Sequence, residues 1–277
     1  MTERSSAAAH HVGPLHALLQ KNSMKIYDLS VPTEESPSEP LAVSVTHESH
    51  QESAEFMASF FEAPTSDLPD GLGWANDTVT LNAHSGTHVD APWHYYPTCG
   101  GAKARTIDEM PLEWFFGEGV VLDVTHLPNG GLVQPSDLEN ALCSANYELK
   151  AGNIVLIRTD ADKTWGLKEY FDTGISMSAD STRWLIERGV RVMGIDAWGW
   201  DQPFKSMKER YRETGDSSVI WEAHRVGRDL EYCHIEKLAK LRVLPKPSGF
   251  KVACFPVKLA GGSAGWTRVV AIFEDMV

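Results

Sequence analysis

Several segments of the chain cluster or alternate β-branched and aliphatic residues between Gly, Pro, Asn or Asp, a pattern that predicts strands. They begin at Met24 (MKIYDLSV), Leu41 (LAVSVTH), Asp77 (DTVTLNAH), Val120 (VVLDVTHL), Asn153 (NIVLIRTD), Val190 (VRVMGIDA), Phe250 (FKVACFPVKL) and Thr267 (TRVVAIFED). Helical spacing falls between them. Ser136 and Glu139 read as a capping box opening DLENALCSANYEL, with Pro135 just before it. Ser178 opens ADSTRWLIERG, which stops at Gly189. A third helix is predicted from about Gly227 to Leu241, with Leu230, Cys233, Leu238 and Leu241 as its apolar face. Strands pair at the ends and alternate with helices in the middle. That order predicts one α/β domain with a mixed sheet flanked by helices. The proline-rich stretch 32–40 reads as a surface loop, and no boundary is expected after Met24.

Composition narrows the function classes. Of 277 residues, 42% are hydrophobic and 23% charged, as in an ordinary globular protein that can bury a sizeable core. The net charge of −13, with no dense Lys/Arg run, argues against a nucleic-acid partner. No apolar run approaches the about 18–20 residues of a membrane span, so no membrane role is expected. Residues 1–23 lack an apolar signal core and are expected to form a mobile extension to a domain covering 24–277. His10, His11 and His16 in that extension are expected to be idle. Four cysteines without a CxxC pattern suit a cytoplasmic protein with reduced thiols.

Histidine is scarce, at 11 residues, yet three fall in the window HSGTHVDAPWH, at His84, His88 and His94, together with Asp90. Imidazole nitrogen and carboxylate oxygen are ligands for zinc, manganese and similar cations. Gly86, the β-branched neighbours and Pro92 argue against a helix here. In a strand followed by a tight loop, His88 and Asp90 point to the same side. Further ligands must come from elsewhere. The stretch WEAHRVGRDLEYCHIEKL offers Glu222, His224, Glu231, His234 and Glu236, and spacing alone does not choose among them. Glu231 and His234 read as a solvated helix face. His47, Glu48 and His50 form HESH, one residue short of HExxH, and read as surface.

The window resembles the HxGTHxDxPxH motif of the cyclase family of metal-dependent hydrolases. That family includes bacterial kynurenine formamidase, isatin hydrolase and some lactone-opening enzymes. Every defined position is filled. Blocks from Gly152, Trp184 and Trp221 also look like family blocks, and FPVKLAGGSAGWTRVVAI from Phe255 resembles the isatin-hydrolase-like branch. The resemblance implies a swivelling β/β/α fold with a barrel-like core, and a homodimer or larger homo-oligomer. It implies His84, His88 and Asp90 as metal ligands, and His94 as the catalytic histidine. It also implies His224 and Glu236 as distal ligands, with one or two ions of Mn2+ or Zn2+.

These residues predict hydrolysis of a C–N or C–O bond in a small carbonyl compound, a cyclic amide, formamide or lactone. Trp74, Trp93, Trp198, Trp200, Trp221 and Trp266 lie near the motif blocks, and an aromatic wall for a flat substrate is expected from among them. Trp74, Trp93 and Ser263 are the candidate substrate contacts, and Phe60 and Phe61 candidates for a loop over the site. Two rival readings are a non-haem iron oxygenase using His88, Asp90 and His224, and a metal-binding protein without catalysis. A Ser or Cys hydrolase lacks its motif, because Ser85-Gly86 is not embedded in GxSxG.

Overall fold

The computed structural model describes residues 24–274. The extension predicted for residues 1–23, with its three histidines, lies outside them. Nine strands make the main sheet: β1 (Lys25–Asp28), β2 (His88–Asp90), β3 (Phe116–Asp123), β4 (Ile154–Arg158), β5 (Val192–Ile195), β6 (Cys233–Glu236), β7 (Ser248–Ala253), β8 (Ala264–Trp266) and β9 (Val270–Phe273). Their spatial order is β1-β9-β7-β3-β4-β5-β6-β2-β8. The centre β3-β4-β5-β6 is parallel, and both flanks are antiparallel. The sheet is mixed, as the strand order implied, and curls into part of a barrel.

Central strands are buried on both faces, so they read as continuous apolar runs rather than alternations. Val120, Leu122, Val155, Ile157, Met193 and Ile195 point to the face covered by helices Pro135–Ser144 and Ala179–Glu187. Val121, Ile154, Leu156, Val192 and Ile235 point to the other face, against Phe115, Phe250 and Val252. Segments 41–47 and 77–84 do not join this sheet. Ser44–Glu48 and Asn76–Thr80 form a separate antiparallel pair.

Local signals placed two helices well. Ser178 caps Ala179–Glu187, its side chain accepting from the Ser181 N–H. The other helix begins at Pro135, two residues before the Asp137 start expected from a Ser136–Glu139 box. Gln134 is its cap, and its N–H donates to Asp137 Oδ2 at 2.8 Å. Proline is accepted at a first helical position because it has no N–H to leave unpaired.

The helix predicted over 227–241 is not there. A 3-10 turn, His224–Arg228, is followed by strand β6. Burial on every side explains the error. Cys233, His234, Ile235 and Glu236 alternate between two enclosed faces, so no solvent-facing polar side marks the strand period.

Leu156, fully buried in the parallel centre, reports on this core. Leu156→Ala is expected to cost about 2–5 kcal/mol of stability, measured by chemical denaturation.

Candidate metal centre

The centre is built on one register. Strands β2 and β6 pair antiparallel, with Asp90 opposite His234 and His88 opposite Glu236. Side chains two apart on a strand leave the same face, so this pairing gathers all four on the helix-covered side. The turn Ser85-Gly86-Thr87 leads into β2 and returns His84 over it. Gly86 has φ +62°, a conformation that a glycine adopts without strain. Pro92 opens the short helix Pro92–Tyr95, which carries His94 back over Asp90. His224 arrives from the 3-10 turn.

Ligand atoms of His84, His88 and Asp90 lie within 4.8 Å of one another, and so do those of Asp90, His224, His234 and Glu236. His84 Nδ1 is 2.8 Å from Asp90 Oδ1, and His234 Nε2 is 3.0 Å from Asp90 Oδ2. Yet His88 Nε2 and both Asp90 carboxylate oxygens are buried without a well-aligned hydrogen bond among the described residues. A buried carboxylate with no donor is expensive. A cation fits that donor set of imidazoles and carboxylates, and would satisfy these orphaned atoms.

Electrostatics agree. Burial would raise the Asp90 pKa, but His94, His84 and His88 hold it well below the carboxylate range. Burial opposes ionisation of Glu236 too, and the adjacent His234 ring brings its pKa to about 2. Burial would lower the His224 pKa, but Asp201 and Asp90 push it up to about 10. Burial takes His94 the other way, down to about 3.

The second ring nitrogen separates these histidines. A metal-binding histidine usually has it tied down. His88 Nδ1 donates to the Gly86 carbonyl at 2.9 Å, leaving Nε2 a lone pair. His224 Nδ1 pairs with the Asp201 carboxylate, which also accepts from the Ala223 and His224 N–H groups. His84 Nε2 lies 3.1 Å from Ser263 Oγ. Ser263 therefore orients His84, a candidate ligand. For His94 no such partner is found among the described residues. Its Nε2 is 3.7 Å from Asp90 Oδ2, and its ring lies beside His84 and Trp221.

A buried ion pair secures the His84 loop. Lys237 Nζ donates to both Glu39 oxygens at 2.9 Å and to the His84 carbonyl at 2.7 Å. Glu39 Oε1 accepts from the Gly86 N–H at 2.7 Å. Lys237 follows a ligand directly and has φ +58°, a strained conformation for a lysine.

A cavity of about 420 Å³ opens from the centre, with His84, His94, His224 and Glu236 at its polar end. Phe171, Trp198, Phe204, Met207 and Trp221 form its apolar wall. An aromatic wall was expected, but from partly different residues. Trp74 packs edge-on against Phe56 and does not line the cavity. Trp93, 39% exposed, turns outward because it is one helical step from His94. Phe60 and Phe61 pack on each other in the open, away from the cavity.

His234 does not lie on a solvated helix face. It is fully buried among the ligands, whereas Glu231 is a partly exposed partner of Arg105. Asp201 and Lys237 carried no spacing signal and were found only by the fold. Glu222 pairs with Arg210, and the HESH histidine His47 is exposed and pairs with Asp77.

A model of the Cyclase family matches residues 27–202, more than half of the chain, so the chain belongs to that family. The match spans His84 to His94 and Asp201 but ends before His224. Cyclase-like protein 1 of Arabidopsis thaliana is 26% identical over 223 residues, 80% of this chain and 78% of that protein. Kynurenine formamidase of Salinibacter ruber is 28% identical over 193 residues, 70% of this chain and 77% of that protein. Isatin hydrolase A from Ralstonia solanacearum superposes with TM-score 0.72 at 22% identity, covering 98% of this chain and 100% of that one. At that identity the likeness is one of fold.

Removing one partner of the Lys237–Glu39 pair strands a buried charge. Lys237→Met is expected to cost about 3–5 kcal/mol in chemical denaturation, and Lys237→Met/Glu39→Leu together distinctly less than the two single changes summed.

Proposed function

We propose that this protein is a metal-dependent hydrolase that opens a C–N bond in a small, flat, aromatic carbonyl compound, a cyclic amide of the isatin kind. The observation that carries this reading is a donor-rich, partner-poor carboxylate–histidine cluster at the floor of an aromatic-walled cavity. The wall suits a planar ring by stacking, and the volume lies in the range of small-molecule sites. The similarity to a kynurenine formamidase and the fold shared with isatin hydrolases support C–N hydrolysis.

His84, His88, Asp90, His224 and Glu236 would hold the cation, Mn2+ or Zn2+. When bound, such an ion supplies a water acidified from a pKa of about 15.7 towards 7 and a polarised carbonyl. The protein does the rest. His94, facing the same cavity with its ring untethered among the described residues, accepts the proton of the attacking water. As the C–N bond breaks, His94 passes that proton to the leaving nitrogen, which departs poorly as an anion. The Trp198 and Trp221 rings flank the substrate and keep bulk water out. Asp201 and Ser263 hold their histidines against rotation.

A second reading is arylformamidase activity on N-formylkynurenine, and the same apolar wall favours it. An iron oxygenase triad leaves His84 and Glu236 unexplained, although both border the shared Asp90 cluster.

Chelator treatment is expected to abolish hydrolysis, with recovery on adding Mn2+ or Zn2+. A screen of isatin, N-formylkynurenine and small lactones gives the rates; full activity in the chelated protein overturns the proposal. His94→Ala is expected to retain the metal, by elemental analysis, while kcat falls about 10²–10⁴-fold.

A further inference from the structure

We infer that His234 is itself an ion ligand, so that Asp90 joins two adjacent cradles, His84/His88/Asp90 and Asp90/His224/His234/Glu236. This rests on the metal-dependent reading above and adds a ligand to it.

Position is the first argument. His234 sits opposite Asp90 in the β2–β6 register and two residues before Glu236. It is fully buried, with Nε2 3.0 Å from Asp90 Oδ2 and 3.2 Å from Glu236 Oε1. The ring stacks near-parallel with Trp200, at 5.2 Å and 11°, and with Tyr95, at 5.1 Å and 21°. A buried ring so packed, with Nδ1 met by the Tyr95 hydroxyl, aims Nε2 at one place with little rotational freedom to lose.

Proton accounting is the second. The His234 backbone N–H donates to the Tyr95 hydroxyl at 3.1 Å, and His234 Nδ1 lies 3.1 Å from that same oxygen. Tyr95 also reaches the Asp90 carbonyl oxygen at 3.3 Å. A phenol has one proton to give. Given to the Asp90 carbonyl, it leaves the hydroxyl oxygen to accept from Nδ1–H. With Nδ1–H so placed, Nε2 has a lone pair facing Asp90 Oδ2 and Glu236 Oε1, where a cation would take the place of the Nε2···Glu236 hydrogen bond of the ion-free site.

The third argument is likeness. His84, His88 and His224 each have their non-ligating nitrogen met by a polar group, and His234 follows the same rule through Tyr95. Glu236 is prepared for the same task. Its Oε1 accepts from the Trp200 N–H at 2.8 Å, which fixes the carboxylate plane.

Zinc titrated into chelator-treated, full-length protein tests this, with X-ray absorption counting imidazoles around the ions. Two equivalents are expected to bind and to share four imidazoles. His94→Ala is expected to leave that count unchanged, and His234→Gln to lower it to three. His234→Gln is also expected to weaken the second equivalent by about 10–100-fold or more while sparing the first. Melting of the chelated variant checks its folding; where it does not fold, the wild-type count alone decides. Two ions sharing three imidazoles would make His234 a hydrogen-bond donor to the carboxylates and overturn the inference. A single bound ion would also overturn it. No bound ion would remove the metal-dependent reading itself.

Discussion

Asp90 and Glu236 are two carboxylates enclosed by protein, and the structure around them is arranged to tolerate their charge. An isolated buried anion is strongly disfavoured, and two close together more so. Here the compensation is mainly a ring of imidazoles, joined on Glu236 by the Trp200 backbone N–H, and both Asp90 oxygens lack a well-aligned hydrogen bond among the described residues. That is the electrostatic character of a cation site. It also explains why the loop bearing His84 is clamped by the buried Lys237–Glu39 pair. A mobile loop would let water and stray donors reach the carboxylates and blunt the site. A buried ion pair adds little stability of itself, so its worth here lies in holding one conformation.

Division of labour among the histidines follows from their second nitrogen. Where a carbonyl, carboxylate or hydroxyl meets it, the ring is fixed and its other nitrogen faces inward. His94 has no such tether among the described residues and borders the cavity, as the proposed proton carrier would. The cavity's aromatic wall, built by Trp198, Phe204 and Trp221, offers stacking but few hydrogen bonds.

The readable part of the site was the part confined to one short window. His84, His88, Asp90 and His94 were visible because their spacing is local, and β2 and its flanking turn carry them together. His224 and Glu236 were reached through resemblance, not through spacing. His234 was misread because a strand buried on both faces shows no polar side, and its segment was taken for a helix. Trp74 and Trp93 were placed in the wall by proximity in sequence alone, which says nothing of which way a ring turns.

Residue chemistry and local pattern alone were enough to imply an α/β chain with a mixed sheet, most of its strands, the cap at Ser178 and a divalent-metal window. Those features depend on neighbours within a few residues. The tertiary structure decided the rest: the β2–β6 register that brings Glu236 and His234 to Asp90, the reach of Asp201 to His224, and the Lys237–Glu39 clasp across the fold. Partners separated by tens to hundreds of residues meet only when the sheet closes, and no local period along the chain records that meeting.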